Sequence, residues 1–364
     1  MNAERLHALA LEIQKELVQT NQVNLVNQLI QHLQNQVNQP NQPQHQQNVS
    51  NTLKTLFSNL KSASSNNFPP TWKQIIQEVG ARDLLGVNLL EKIEEIFSRN
   101  QITPSIALTE LQKIQKTLQS FHNAINNLIA SFKVLNIGAD ELMDGECELG
   151  ILIPRKYVDN QLKHFGEELE ELNKILGVFA EIATGSRPGF EIRQISSTDL
   201  TVFLDIVPQI GACLALAIER IVALYKNLLE IRKLHNELKQ RVPEENLEGI
   251  EKYANSFMAD AIEKIVPEII EKFYKSQDDQ RKNELSNELL VSLKRIANRI
   301  DRSFNFEIRV KPPEKESEEE SDEATQEYFK IIVDSTKELI FLKEEGEPIL
   351  SLPEPNNDEQ EKNK

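Results

Sequence analysis

The sequence predicts an α+β protein, mostly α. An N-terminal helical bundle precedes a split βαβ, ferredoxin-like sheet with two long heptad helices and a helical insertion. Three observations predict this. Apolar stripes spaced alternately three and four apart run through Leu111–Leu135, Val158–Phe179 and Ile210–Leu238, the pattern of paired helices. Four short strand-like segments fall among them in the order β-α-β-β-α-(helices)-β. The tetrapeptide Phe-Glu-Ile-Arg occurs at 190–193 and again at 306–309. These are the two strands that the topology puts at sheet edges, where alternating charge discourages further pairing.

Residues 1–48 read as an Asn/Gln-rich helical arm and linker. Leu6, Ala10, Ile13 and Leu17 recur at helical spacing, as do Val26, Ile30, Leu33 and Val37. Eighteen of the thirty residues from Gln19 to Asn48 are Asn or Gln. The leucine spacing persists and aromatics are absent, so a polar helix followed by the linker "NQPNQPQHQQN" is favoured over a self-assembling tract. Residues 49–136 read as a helical bundle segment. Leu53, Leu56 and Leu60 form a short stripe. Thr103 and Pro104 then start the long helix whose seam includes Leu111, Leu118 and Ile125, with Thr103 as N-cap hydroxyl and proline in the first turn.

Residues 137–311 read as the α+β domain. "CELGILIP" and "LTVFLDI" are apolar enough for central strands, whereas "FEIRQIS" and "SFNFEIRV" alternate. The helix between the first two strands is expected over 155–184, with Leu162, Leu169 and Leu176 in its seam. The most apolar stretch of the chain, "DIVPQIGACLALAIERIVALY", has an uncharged run of only 13 residues, Ile206–Ile218. A spanning helix needs about 20 apolar residues, so no membrane insertion is expected. Its apolar face is wide as far as Leu229 and narrow beyond. The pattern predicts a helix that starts in a core and continues as a projecting, coiled-coil-like arm, with Ile221, Leu228 and Ile231 along it. Pro267 should kink or end a later helix. Residues 312–327 read as an acidic disordered linker, 328–352 as a β-hairpin around Ser335-Thr336, and 353–364 as a disordered tail.

Charge narrows the function. The net charge is −16, and residues 312–364 carry 6 basic against 17 acidic side chains, a balance that repels a phosphate backbone. Nucleic acid is therefore not an expected partner. The start of the chain lacks the uncharged run of a signal peptide, and two cysteines build neither a disulfide frame nor a CxxC site. A cytoplasmic location is expected. Cys147 and Cys213 fall at the same end of the predicted sheet, which makes them a candidate redox pair; otherwise they are two small buried side chains.

No other cluster points to chemistry. His164 and Glu168 are four apart on a helix but flank its seam, as a solvated face does. "DELMDGECE" lacks an EF-hand's ligands, since Leu142 and Ile151 stand where oxygens are needed. "TGSRPG" follows a helix instead of preceding one and so faces carbonyls, not N–H groups. His235 sits in a seam position near a fraying helix end. No catalytic, cofactor-binding or metal-ligating residue is assigned and no cofactor is expected, so the balance leans away from an enzyme. The leading expectation is a non-catalytic cytosolic scaffold or adaptor, using Leu111, Leu118, Ile125, Leu162, Leu169, Leu176, Ile221, Leu228 and Ile231 to bind protein partners or to self-associate. The alternatives are a monomeric α+β ligand-binding or catalytic protein, or a regulatory or effector protein of a toxin or defence system.

Overall fold

A computed structural model describes residues 3–196, 200–239, 247–313, 323–339, 341–342 and 346–353. The protein is α+β and mostly helical, with one four-stranded antiparallel sheet among the described residues. It divides into two compact units, Met1–Glu141 and Leu142–Lys364.

The first unit is all helix: α1 (Ala3–Thr20), α2 (Gln22–Asn38), α3 (Pro43–Lys61), α4 (Pro70–Glu78), α5 (Gly86–Arg99) and α6 (Pro104–Val134). Asn21, at φ 51°, turns α1 directly into α2, a left-handed conformation that asparagine tolerates. Pro43 opens α3, so most of the expected linker is helical. Residues 1–48 are therefore no separate arm. Leu9, Leu29, Leu56, Leu89 and Leu111, from five helices, are buried in one core. The amides fill the outer faces, where Gln34 donates to Asn38 and Gln47 to Asn51, each one turn apart. The buried Glu16 carboxylate accepts from the Ser65 N–H at 2.5 Å and from the Ser64 and Ser65 hydroxyls, closing the turn after α3. Thr103 does not cap α6; its hydroxyl donates to Asn100 at 3.4 Å.

The second unit runs β1 (Cys147–Leu152), α7 (Leu162–Thr184), β2 (Glu191–Ser196), β3 (Thr201–Ile206), α8 (Pro208–Lys239), α9 (Glu248–Phe273), α10 (Asp279–Asp301), β4 (Asn305–Val310) and α11 (Glu323–Glu338). The sheet order is β2-β3-β1-β4, every pair antiparallel. This is the split βαβ order, with the apolar strands central. Cys147, Leu149 and Ile151 of β1, Val202 and Leu204 of β3, and Ile308 of β4 join α7, α8 and α10 in one core. On the opposite face Glu148 pairs with Arg309 at 3.0 Å, and Arg193 lies between Glu146, Glu148 and Asp205. Gly150 leaves the room that the Glu307 side chain and the Phe203 ring occupy from the flanking strands.

Four expectations are corrected. The described residues of 328–352 form no hairpin. Ser335 and Thr336, read as its turn, are buried inside α11, which packs along α8 and against β4. Its apolar residues Phe329 and Ile332 are three apart, a helical spacing that a short apolar run conceals. Pro267 does not end its helix, since α9 continues through it to Phe273. The second half of α8 is no projecting arm, because Tyr225, Leu228, Arg232 and His235 are all buried there. Glu168 is not solvated either. It is buried and takes a bidentate pair from the equally buried Arg299, at 2.6 and 3.1 Å. Burial pushes its carboxyl up, and Arg299 opposes that. Of the expected disordered segments, 314–322 and 354–364 lie outside the described residues, and α11 begins inside the first.

Gly211, in the first turn of α8, ties helix to sheet. A Cβ there would sit 2.5 Å from the Cys147 Sγ. Gly211→Ala should cost about 1–3 kcal/mol by overpacking. Urea unfolding of the double variant Gly211→Ala/Cys147→Ala should show a loss smaller than the two single losses added together.

Candidate peptide-binding groove

Helix α8 carries Arg232, Asn236 and Lys239 at spacings of four and three, which puts them on one stripe. Asn255 of α9 and Asn298 and Asp301 of α10 meet the same segment of chain. What they hold is the extended stretch Gly346–Leu352, "GEPILSL", which has neither helix nor strand structure.

The grip is on the main chain. Asn236 accepts from the Glu347 N–H at 2.8 Å and donates to the Glu347 carbonyl at 3.4 Å. Asn298 does the same at Leu352, both at 3.0 Å. Asn255 accepts from the Ser351 N–H at 2.7 Å and donates to the Ile349 carbonyl at 3.2 Å. A carboxamide offers one acceptor and two donors on a planar group, so each asparagine stands in for a neighbouring strand. Asp301 accepts the N–H groups of Ile349 and Leu350 at 2.7 and 2.6 Å, and Arg232 donates to the Gly346 carbonyl at 2.7 Å. Every main-chain N–H from Glu347 to Leu352 is thus satisfied by a side chain of α8, α9 or α10; Pro348 has none to offer.

Ile349, Leu350 and Leu352 are buried in the core of the unit, while Pro348 and Ser351 are exposed. Beneath them Asp301 is fully buried. It accepts the Tyr225 hydroxyl at 2.5 Å and the Arg232 guanidinium at 3.1 Å. Burial and the adjacent Asp301 carboxylate push the Tyr225 phenol up, so it stays protonated and donates. At the rim, the Lys239 ammonium pairs with Glu347 and holds its carboxyl below the ordinary range. That pairing contributes fully above the ordinary carboxylate range and fades as the pH falls through the lowered value. His235 is no fraying-end residue. It is buried and bridges to Glu251 of α9 at 3.0 Å.

The residues read from the heptads lie mostly inside. Leu111, Leu118 and Ile125 are buried in the first unit's core; Leu176, Ile221 and Leu228 are buried in the second, with Leu169 and Ile231 packed against it. Leu162 alone of the nine is exposed, at the first position of α7. Cys147 and Cys213 are free and buried, and desolvation pushes both thiols far above their ordinary range, which opposes thiolate chemistry. The asparagines and Asp301 carried no signal in sequence, because the apolar spacing of α9 and α10 does not mark the polar residues beside it.

The first unit has a groove of 420 Å³ against α2, α3, α5 and α6, lined by Leu33, Val49 and Phe97 and by uncharged amides such as Gln46 and Asn100. Among the described residues no cluster of three His, Cys, Asp or Glu side chains fits a metal, and no helix is long and apolar enough to cross a membrane. No protein-family model, curated protein or solved structure matches the chain.

Tyr225→Phe removes a donor from Asp301 and an acceptor from Arg232, both buried. It should cost about 1–3 kcal/mol in urea unfolding, although no carbon atom is lost from the core.

Proposed function

We propose that the chain is a non-catalytic cytosolic adaptor that binds an extended segment of a partner protein in the groove of α8, α9 and α10. Neither nucleic acid nor a cofactor takes part. One observation carries the reading. Five side chains on three helices hydrogen-bond the main chain of a seven-residue segment, a sixth, Lys239, pairs with its Glu347 carboxylate, and three apolar side chains of the segment enter the core. Strand-addition sites divide the work in this way, with main-chain bonds for affinity and pockets for side chains. The contact surface moves from the heptad seams, which face their own cores, to this groove. The α+β unit is then the ligand-binding part, so the adaptor and ligand-binding readings converge.

The test uses the full chain with Ile349→Asp and Leu350→Asp, which keeps the resident segment out of the groove. Circular dichroism and urea unfolding check that the variant is folded. A fluorescent peptide of residues 345–353 should bind it saturably, one to one. Adding Asp301→Asn should weaken binding at least about tenfold, since a charge-assisted hydrogen bond contributes about 1.5–3 kcal/mol. A folded variant that ignores the peptide would refute the reading.

A further inference from the structure

Resting on that reading, we infer that the groove selects partners carrying Gly-acid-X-apolar-apolar-X-apolar, and that such a segment binds by displacing the chain's own Gly346–Leu352. Each position of the pattern has a physical cause. Gly346 has φ +84°, which side chains with a Cβ rarely adopt, and a Cβ there would fall inside the Asn236 carboxamide. The acid at the second position meets the Lys239 ammonium. The third and sixth positions, Pro348 and Ser351, are exposed and so unread. Ile349, Leu350 and Leu352 fill the core.

The partner is a protein segment rather than a small ligand, because the recognised atoms are consecutive main-chain N–H and C=O groups. Its acidic second residue is fixed by charge complementarity. The resident segment makes all five of its main-chain N–H bonds from Glu347 to Leu352 with side chains. An incoming main chain of the same pattern reproduces each of these bonds, so displacement leaves no buried donor unsatisfied. The chain is anchored a few residues earlier at the buried Leu342, so the resident segment competes as a tethered ligand, for which effective concentrations are about millimolar. It therefore sets a threshold that weak or mismatched segments do not pass.

Two measurements on the folded full chain test this. In the first, the Ile349→Asp/Leu350→Asp variant is titrated with the parent peptide and with three altered peptides. The changes are Gly346→Ala, Glu347→Lys and Leu352→Asp. The glycine and leucine changes should weaken binding at least tenfold. The charge reversal should weaken it severalfold, and less so at high salt. Equal binding of all four peptides overturns the pattern but leaves the site standing; binding of none overturns the site itself. In the second, Ser351→Cys carries a fluorophore in the otherwise wild-type chain, where the native cysteines are buried. Saturating parent peptide should lower the anisotropy of the label as the segment leaves. An unchanged anisotropy at saturation overturns displacement. If sedimentation without peptide shows the labelled segment exchanging between two copies of the chain, the separate partner is overturned in favour of self-exchange.

Discussion

The second unit depends on one buried carboxylate. Asp301 is the last residue of α10, where the helix dipole disfavours an anion, and it is fully buried. Burying an ion costs several kcal/mol unless its lone pairs are met. Here they are met by Tyr225, Arg232 and the N–H groups of Ile349 and Leu350. Arg232 also donates to the Asp301 carbonyl at 2.6 Å, covering an acceptor that a helix end leaves open. Asp301 therefore joins α8, α10 and whatever segment lies in the groove through one set of hydrogen bonds.

That constraint explains why the second half of α8 is covered rather than free. A seam built only of leucine and isoleucine would pack against any apolar partner. A seam that includes Tyr225, Arg232 and Asn236 accepts only a partner with hydrogen-bonding groups at matching positions. The apolar contribution comes from Ile349, Leu350 and Leu352 entering the core, and the polar groups set the register. This division separates recognition from bulk stability.

Much of the sheet was legible in the sequence. The split βαβ order followed from the sequence of elements, and the central strands from their apolar runs. The repeated Phe-Glu-Ile-Arg correctly marked the outer strands, but for only half the physical reason. Glu191 and Ile192 of β2 are exposed, as an edge requires, whereas Glu307 and Arg309 of β4 are buried beside Gly150 and Glu148. Glu168 read as solvated because a lone charge on a helix usually is; the structure gives it a buried partner distant in sequence, Arg299. Asn236, Asn255 and Asn298 were invisible for the same reason, since their partners are main-chain atoms on a distant segment. The hairpin expectation failed because "YFKIIVD" suits a strand or a helix equally well until its neighbours are known.

The central claim is that Gly346–Leu352 is held as a separable peptide and not as an inseparable part of the core. Native-state hydrogen exchange at the Ile349, Leu350 and Leu352 amides tests it most directly. The account predicts that these amides exchange through a local opening well below the free energy of global unfolding, with little dependence on denaturant. The core amides of β1 and β3 should exchange only on global unfolding. If all these amides share one free energy and one denaturant dependence, the segment is simply core, and the account is contradicted.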